Sequence, residues 1–378
     1  MGGVATVVEC ISSNEKRDGN IVYGLVQGLD SETYSDPNGV IIHRIHYKNK
    51  KTVYSQQNIL GKIKFIVNYI LYHIHLIFII KKIKPDIIHV HTFIESLILP
   101  ITKHLFHIPY VLTIHGKWSG GIMFPNCLKR VWKLSPWLRN PNYITVLTDQ
   151  HKKECLTYRS NQIVVIGNGV DNSSFPQKPT LDIRKPDPTI IIVSRLVSEK
   201  GLEDAICSMS IIKENYPNSK LMIIGPGPLE GELKHLISSL DLERNVILVG
   251  PISREDIVSY YHQADMYLLP SLHEGMPMVA LEAMSCGLPL ITTEVSILPK
   301  IVQEYQNGYI IPMEKPTEIS SAIRNIHELD KANYHRMCLN SLKASENFSW
   351  DKITKSYLEL YADVLYERKE RQTDISKC

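Results

Sequence analysis

The sequence has almost no acid over one long stretch, no paired cysteines, and no apolar run long enough to cross a membrane. Residues 37–148 hold only two acids, Asp86 and Glu95, against fifteen Lys and Arg running from Arg44 to Arg139. Residues 1–36 carry six acids and two bases, and residues 149–378 are mildly acidic, so the net charge of +3 hides a strongly basic segment. Such asymmetry asks for an anionic partner: a membrane surface, a pyrophosphate-bearing substrate or a nucleic acid. No known nucleic-acid module pattern accompanies the basic stretch, so no nucleic acid is expected. The seven cysteines, Cys10, Cys127, Cys155, Cys207, Cys286, Cys338 and Cys378, are scattered and form no CxxC pair. That argues against a zinc ribbon or disulfide framework and suits a reducing compartment. Met1 leads straight into Gly2-Gly3, so no signal peptide is expected, a cytoplasmic protein is, and the sequons at Asn172 and Asn347 carry little weight. The longest apolar run, residues 65–80, falls short of the roughly 20 residues of a bilayer span and is interrupted by Asn68, His73 and His75.

What is present is a globular chain. Hydrophobic residues make up 44% and charged residues 21% of the 378, which suits a packed core and two domains of common size. Short β-branched runs alternate with helical patterns. Residues 39–45, 86–90, 110–114, 143–147 and 162–166 read as strands of one half. Residues 189–193, 220–224, 246–249, 266–269 and 290–292 read as strands of the other. Apolar strands without in–out alternation, separated by helices such as 201–215, 229–240 and 277–286, indicate parallel sheets covered on both faces. A Pro-rich polar stretch, 172–188, reads as a linker, and a long helix over about 350–371 closes the chain. Ligands of open parallel sheets sit outside the carboxyl ends of the strands, so the loops there are where chemistry belongs.

Two such loops stand out. After the strand ending at Val193 comes Ser194-Arg195-Leu196, then Glu199-Lys200-Gly201. Arg195 and Lys200 there suit a diphosphate, with Arg able to grip two oxygens; alone, a solvated basic loop accounts for them equally well. The second loop is His273-Glu274-Gly275-Met276-Pro277-Met278-Val279-Ala280-Leu281-Glu282. Pro277 suits the first turn of a helix, and Gly275 allows the backbone close to a ligand. The free amides of the helix start can bind phosphate oxygens. Glu274 and Glu282 can then hold hydroxyls on two parts of an extended ligand. The plainer alternatives are a dipole-favoured charge for Glu274 and an exposed helical charge for Glu282, the latter weakened by its apolar neighbours.

The ordered combination resembles the retaining GT-B glycosyltransferases of family 4 over nearly the whole chain. It comprises Arg195 and Lys200, Glu274 and Glu282 with seven residues between, Asn168-Gly169-Val170-Asp171, Gly225-Pro226-Gly227-Pro228 and the closing Phe348-Ser349-Trp350. The resemblance implies an α/β chain of two Rossmann-like, doubly wound parallel-sheet domains facing a central cleft. Residues 1–171 are then the acceptor-side domain, 172–188 the linker, 189–347 the nucleotide-sugar domain, and 348–371 a helix returning to the first domain. It further implies that Arg195 and Lys200 hold the donor diphosphate, Glu274 the donor sugar and Glu282 the ribose. The amides of Gly275, Met276, Pro277, Met278 and Val279 line phosphate and sugar. Gly250, Pro251 and Ile252 lie near the nucleobase, and Gly225 marks the same rim. Gly2 and Gly3 match a glycine loop under the phosphates. His115 matches a strand-end histidine near the transferred sugar; a satisfied core histidine is the plain alternative. His89 and His91 flank a buried strand and are read as structural. The resemblance implies a strand before the Gly-Gly loop, so either the start of the chain is late or the first sheet is expected to lack a central strand.

The expected activity is transfer of a hexose or related sugar, with retention, from a nucleotide diphosphate sugar to a glycan acceptor, without metal or other cofactor. A lipid-pyrophosphate-linked acceptor suits the basic half, as in assembly of bacterial surface polysaccharides, lipopolysaccharide among them. Residues 62–84 are either a buried helix or a helix lying on an anionic membrane, which would make the protein peripheral to the inner face. Two other functions compete: a nucleotide-sugar-modifying enzyme of the 2-epimerase type, and an inactive nucleotide-sugar-binding, membrane-docking subunit.

Overall fold

The computed structural model describes residues 3–28, 32–46, 59–91, 99–115, 141–156, 162–181 and 186–375. The chain divides into two compact units, Met1–Ile166 with Ile353–Cys378, and Gly167–Lys352.

The first unit runs α1 (Gly3–Arg17), β1 (Tyr23–Gly28), β2 (Glu32–Ser35), β3 (Ile41–His46), α2 (Ile59–Ile83) and β4 (Ile88–Val90). It continues with α3 (Leu99–Phe106), β5 (Tyr110–Ile114), β6 (Tyr143–Val146), α4 (Asp149–Leu156) and β7 (Ile163–Val165). Among the described residues its strands form two sheets, β1-β3-β2 and β4-β5-β6-β7. The four-stranded sheet is parallel throughout, whereas β2 runs antiparallel to β3 as an exposed edge. Neither β1 nor β2 stands out in the sequence. One is Tyr-Gly-Leu-Val-Gln-Gly, with glycines inside it, and the other is polar. The apolar face of α2, Tyr72, Leu76 and Ile80, packs on Val90, Tyr110, Leu112, Leu99 and Ile108.

The C-terminal helix, Trp350–Ile375, joins this unit from Ile353 onward through polar contacts. Tyr361 Oη is hydrogen-bonded to His89 Nδ1 at 2.5 Å and also to the Glu15 carboxyl. On the other side of the same ring, His89 Nε2 meets Thr113 Oγ1 at 2.6 Å, and Thr113 meets Thr145. Tyr143 donates to Glu367 Oε1 at 3.1 Å. A polar line thus ties α1, β4, β5 and β6 to the final helix, and burial within it dictates ionisation. Desolvation pushes Glu15 up to about 7 and His89 down to about 3.

The second unit is more regular. Its strands are β8 (Thr189–Val193), β9 (Lys220–Ile224), β10 (Val246–Gly250), β11 (Met266–Leu269), β12 (Leu290–Thr293) and β13 (Gly308–Ile311). The helices between and after them are α5 (Leu202–Ile212), α6 (Glu230–Ser239), α7 (Ile257–Gln263), α8 (Met278–Ser285), α9 (Leu298–Tyr305), α10 (Pro316–His327) and α11 (Lys331–Glu346). All six strands are parallel, in the order β10-β9-β8-β11-β12-β13. Every residue of β8 is buried, which is why its Thr-Ile-Ile-Ile-Val shows no alternation. The strand order reverses between β8 and β11, the switch point at which such sheets bind ligands. The division between units falls at Ile166/Gly167, ahead of the 171/172 expected from sequence. The described part of the expected linker is folded onto the second unit. Phe175 is buried, Leu181 joins the core and Lys178 Nζ donates to Ala264 O at 2.5 Å.

The raised Glu15 makes a pH prediction. Its stabilising contribution is complete below the ordinary value of 4.5 and is lost as pH rises through about 7. Glu15→Gln, which mimics the neutral acid, should therefore raise Tm at pH 8, with a gain of up to about 3 kcal/mol. That gain should shrink toward zero by about pH 5, as thermal melts of both proteins at the two pH values would show.

Candidate active site

The carboxyl ends of β8, β9 and β10 are laced together by backbone. Ser194 N donates to Ile224 O at 2.9 Å, Leu196 N to Pro226 O at 2.9 Å, and Gly225 N to Gly250 O at 2.9 Å. Gly225 has φ +135°, and a Cβ on it would stand 2.1 Å from Ser194 O, so no other residue fits. The turn carrying Lys200 is likewise pressed against the exit of β11. Gly201 has φ +61° and a Cβ there would meet Pro270 O at 2.2 Å, while Leu272 N donates to Glu199 O at 2.8 Å.

This lacing brings the two sequence loops together at the switch point. Lys200 Nζ lies 2.6 Å from Glu274 Oε1, with the two side chains only 14% and 11% exposed. The same Oε1 accepts a hydrogen bond from Ser271 Oγ at 2.8 Å, and Ser271 O in turn accepts from Thr293 Oγ1 at 2.5 Å. Arg195 is exposed on the same loop as Lys200.

The loop into α8 is pinned before the helix begins. Ser296 Oγ donates to Gly275 O at 2.6 Å and Asn168 Nδ2 to Met276 O at 2.9 Å. The helix opens at Met278, with Pro277 as its cap at φ −74°, ψ 109°, one residue later than the sequence suggests. The first-turn amides of Met278 and Val279 follow Glu274 by four and five residues, ahead of the bond from Ala280 N to Pro277 O at 3.2 Å. Met276 and Pro277 are buried, whereas Gly275, Met278 and Val279 are half-buried. Inside the helix, Glu282 Oε2 accepts from Tyr261 Oη of α7 at 3.0 Å. Burial raises the Glu282 carboxyl above its usual range, opposed by the Tyr261 hydrogen bond and by Arg254. Arg254 also sits 5.9 Å over the Phe175 ring, which meets Tyr261 edge-on. Gly250 ends β10 at φ +83°, with Pro251 exposed and Ile252 half-buried after it.

In the first unit, His115 directly follows β5 and is hydrogen-bonded through Nε2 to His91 Nδ1 at 2.8 Å. Burial lowers His115 to about 4. Gly3 opens helix α1 and does not form a loop, and Gly2 lies outside the described residues.

Comparison with known proteins settles what carries this arrangement. The family model for Glycosyltransferase Family 4 matches residues 1–174, and that for Glycosyl transferases group 1 matches residues 173–341. The chain is a family 4, group 1 glycosyltransferase. It is 25% identical to an uncharacterised glycosyltransferase of Methanocaldococcus jannaschii, over 96% of this chain and 94% of that protein. It is 27% identical to an Escherichia coli UDP-Gal:alpha-D-GlcNAc-diphosphoundecaprenol alpha-1,3-galactosyltransferase, over 77% and 78% of the two chains. Among solved structures, Anabaena HepE in complex with UDP-glucose matches with a TM-score of 0.74 at 17% identity, covering 96% of both chains. The shared fold is GT-B.

For this glycosyltransferase, sequence reasoning selected Arg195, Lys200, Glu274, Gly275 and Glu282; the second unit joins Lys200 to Glu274, carries Arg195 on the loop of Lys200, and sets Glu282 inside α8 against Tyr261. It missed Ser271, Tyr261 and Arg254, which hold or face the two carboxylates. The only signal for Ser271 is its place three residues before Glu274, and Tyr261 reads as an ordinary core aromatic. Tyr261→Phe keeps the ring packing and removes the donor to a half-buried carboxylate. It should cost about 1–3 kcal/mol in urea unfolding; a wild-type midpoint and slope would show that the phenol does not hold Glu282.

Proposed function

We propose that this glycosyltransferase moves a hexose or related sugar, with retention, from a nucleotide diphosphate sugar to a glycan acceptor in bacterial surface polysaccharide assembly. The observation that carries the reading is the Lys200–Glu274 pair at the switch point, beside the open end of α8. In this reading Arg195, Lys200 and the amides of Gly275–Val279 bind the diphosphate. Glu274 takes the transferred sugar, Glu282 the ribose, and residues 250–252 the nucleobase. His115 meets the transferred sugar. The UDP-glucose complex of HepE and the UDP-galactose named for the E. coli relative support a nucleotide diphosphate donor.

Cleavage of the bond from the anomeric carbon to the diphosphate leaves negative charge on the β-phosphate. Lys200, Arg195 and the helix start lie where that charge develops, and they do so without metal or other cofactor. Attack comes from the same face: the acceptor hydroxyl bonds to the anomeric carbon and gives its proton to the departing phosphate oxygen. No protein base is assigned, and retention follows from the geometry of that attack.

A lipid-pyrophosphate-linked acceptor at the inner face of the membrane fits the basic first half and the name of the E. coli relative. Helix α2 supports it. Behind its packed face, the helix exposes Val67, Ile70, Leu71, Ile74 and Phe78, the spacing of a single helical stripe, with Lys81, Lys82 and Lys84 exposed at its end. Among the described residues no helix is long and apolar enough to cross a membrane, so the stripe suits a helix lying in the interface.

Arg195→Ala and Glu274→Gln should each lower donor turnover by about a hundredfold or more; near-normal turnover in both would refute the site. A panel of UDP-, GDP- and ADP-sugars should contain one that raises Tm, and so names the donor. The protein should float with anionic liposomes at low salt and lose that binding at high salt or with Ile74→Asp/Phe78→Asp. Absence of flotation at low salt removes the membrane from the proposal.

A further inference from the structure

Strands β4 and β5 are parallel neighbours, with Val90 opposite Leu112. His91 follows the first and His115 lies just beyond the end of the second, so both leave the carboxyl edge of the sheet, where ligands of parallel sheets bind. Their ring centroids are 5.1 Å apart at 27°, and the 2.8 Å contact runs from His91 Nδ1 to His115 Nε2. Behind them His89 lies 4.0 Å from the His91 ring, and it is itself fixed by Thr113 and Tyr361. His91 therefore has little room to turn.

The electrostatics decide what this contact is. Burial keeps His91 well below its ordinary value and His115 at about 4, so both rings are neutral at pH 7. Two neutral imidazoles joined by one contact share a single proton, and there are two ways to place it. If His91 donates, both rings must carry their proton on Nδ1, the less favoured tautomer of neutral histidine. If His115 Nε2–H donates, both rings keep the favoured Nε2–H form. The second arrangement leaves His115 with an unprotonated Nδ1, able to accept a hydrogen bond from a hydroxyl.

We propose that His91 is a positioning residue for sugar transfer: it accepts the Nε2 proton of His115 and so holds that ring with a bare Nδ1 toward a sugar hydroxyl. The inference rests on the role proposed above for His115. It departs from the reading of His91 as a structural residue of a buried strand. It also explains why a polar ring stands here when an apolar one would fill the same space.

Three variants of the full chain test it: His115→Ala, His91→Phe and His91→Asn, the last of which keeps an acceptor near the position of Nδ1. Donor kcat and KM are measured for each, with Tm as a control for folding. His91→Phe should lower kcat/KM by about tenfold to a hundredfold, and His91→Asn should recover most of that loss. Independently of activity, ¹⁵N spectra of histidine-labelled wild type should show His115, identified by its absence in His115→Ala, as the Nε2–H tautomer. An Nδ1–H signal for His115 overturns the inference even if His91→Phe does not fold. Impaired His115→Ala with normal His91→Phe overturns the inference alone. Normal turnover in His115→Ala overturns the role of His115, and the positioning role with it.

Discussion

The second unit is organised around one electrostatic contact, Lys200 to Glu274 across the point where the strand order reverses. A cation and a carboxylate this far from water each carry a desolvation cost, which the pair offsets only if its geometry is good and its spare lone pairs are satisfied. The 2.6 Å separation meets the first condition, and Ser271 adds a second hydrogen bond to the same Oε1. The pair exists because two turns are forced together. Gly201 is wedged against Pro270, and Glu199 accepts from Leu272. Remove either charge and the other is left stranded, so the site and the local fold stand on the same atoms.

The first unit solves its packing differently. Its core under α2 is apolar, but the contacts of the C-terminal helix with β4–β6 include a chain of hydroxyls and imidazoles running from Glu15 through Tyr361, His89 and Thr113 to Thr145. Polar chains of this kind select one seating of a helix, because sliding it by a turn would leave each group buried without its partner. The same burial strips His89, His91 and His115 of charge, and a neutral imidazole can serve as either donor or acceptor. Seating of the helix and the proton state of the histidine cluster are therefore one physical problem. His89 belongs to both, bonded to Tyr361 and set against the tilted His91 ring at 4.0 Å.

How much of this could be read from residues follows the same division. Strands β8 to β12 were legible because each carries an apolar run, and β8, β11 and β12 are buried along their whole length. β13 and β1 were not, because glycine interrupts or opens each of them, nor was β2, a polar edge. Arg195, Lys200, Glu274 and Glu282 were legible because their spacing fixes them on loop and helix starts. Ser271, Tyr261, Arg254 and His91 were not, because what gives them meaning is a partner on another element. The compact units divide at Ile166/Gly167, a few residues before the 171/172 read from the sequence, because the proline-rich, polar stretch that reads as a linker carries Phe175 and Leu181 into the second unit.

The stripe on α2 remains the hardest feature to reconcile with a protein bathed only in water. Its inner face already uses Tyr72, Leu76 and Ile80 to cover the sheet, so the outer residues add nothing to that core. Burying a large aliphatic or aromatic side chain is worth roughly 1.5–3 kcal/mol relative to leaving it exposed. Five of them on one face therefore represent a sizeable favourable energy that this unit leaves unused, with Phe78 67% exposed. An interface between lipid and water uses it without a matching protein surface, and the adjoining lysines add attraction to anionic headgroups. That is the environment in which a lipid-pyrophosphate-linked acceptor resides, so the fold's least economical surface and the proposed substrate point to the same place.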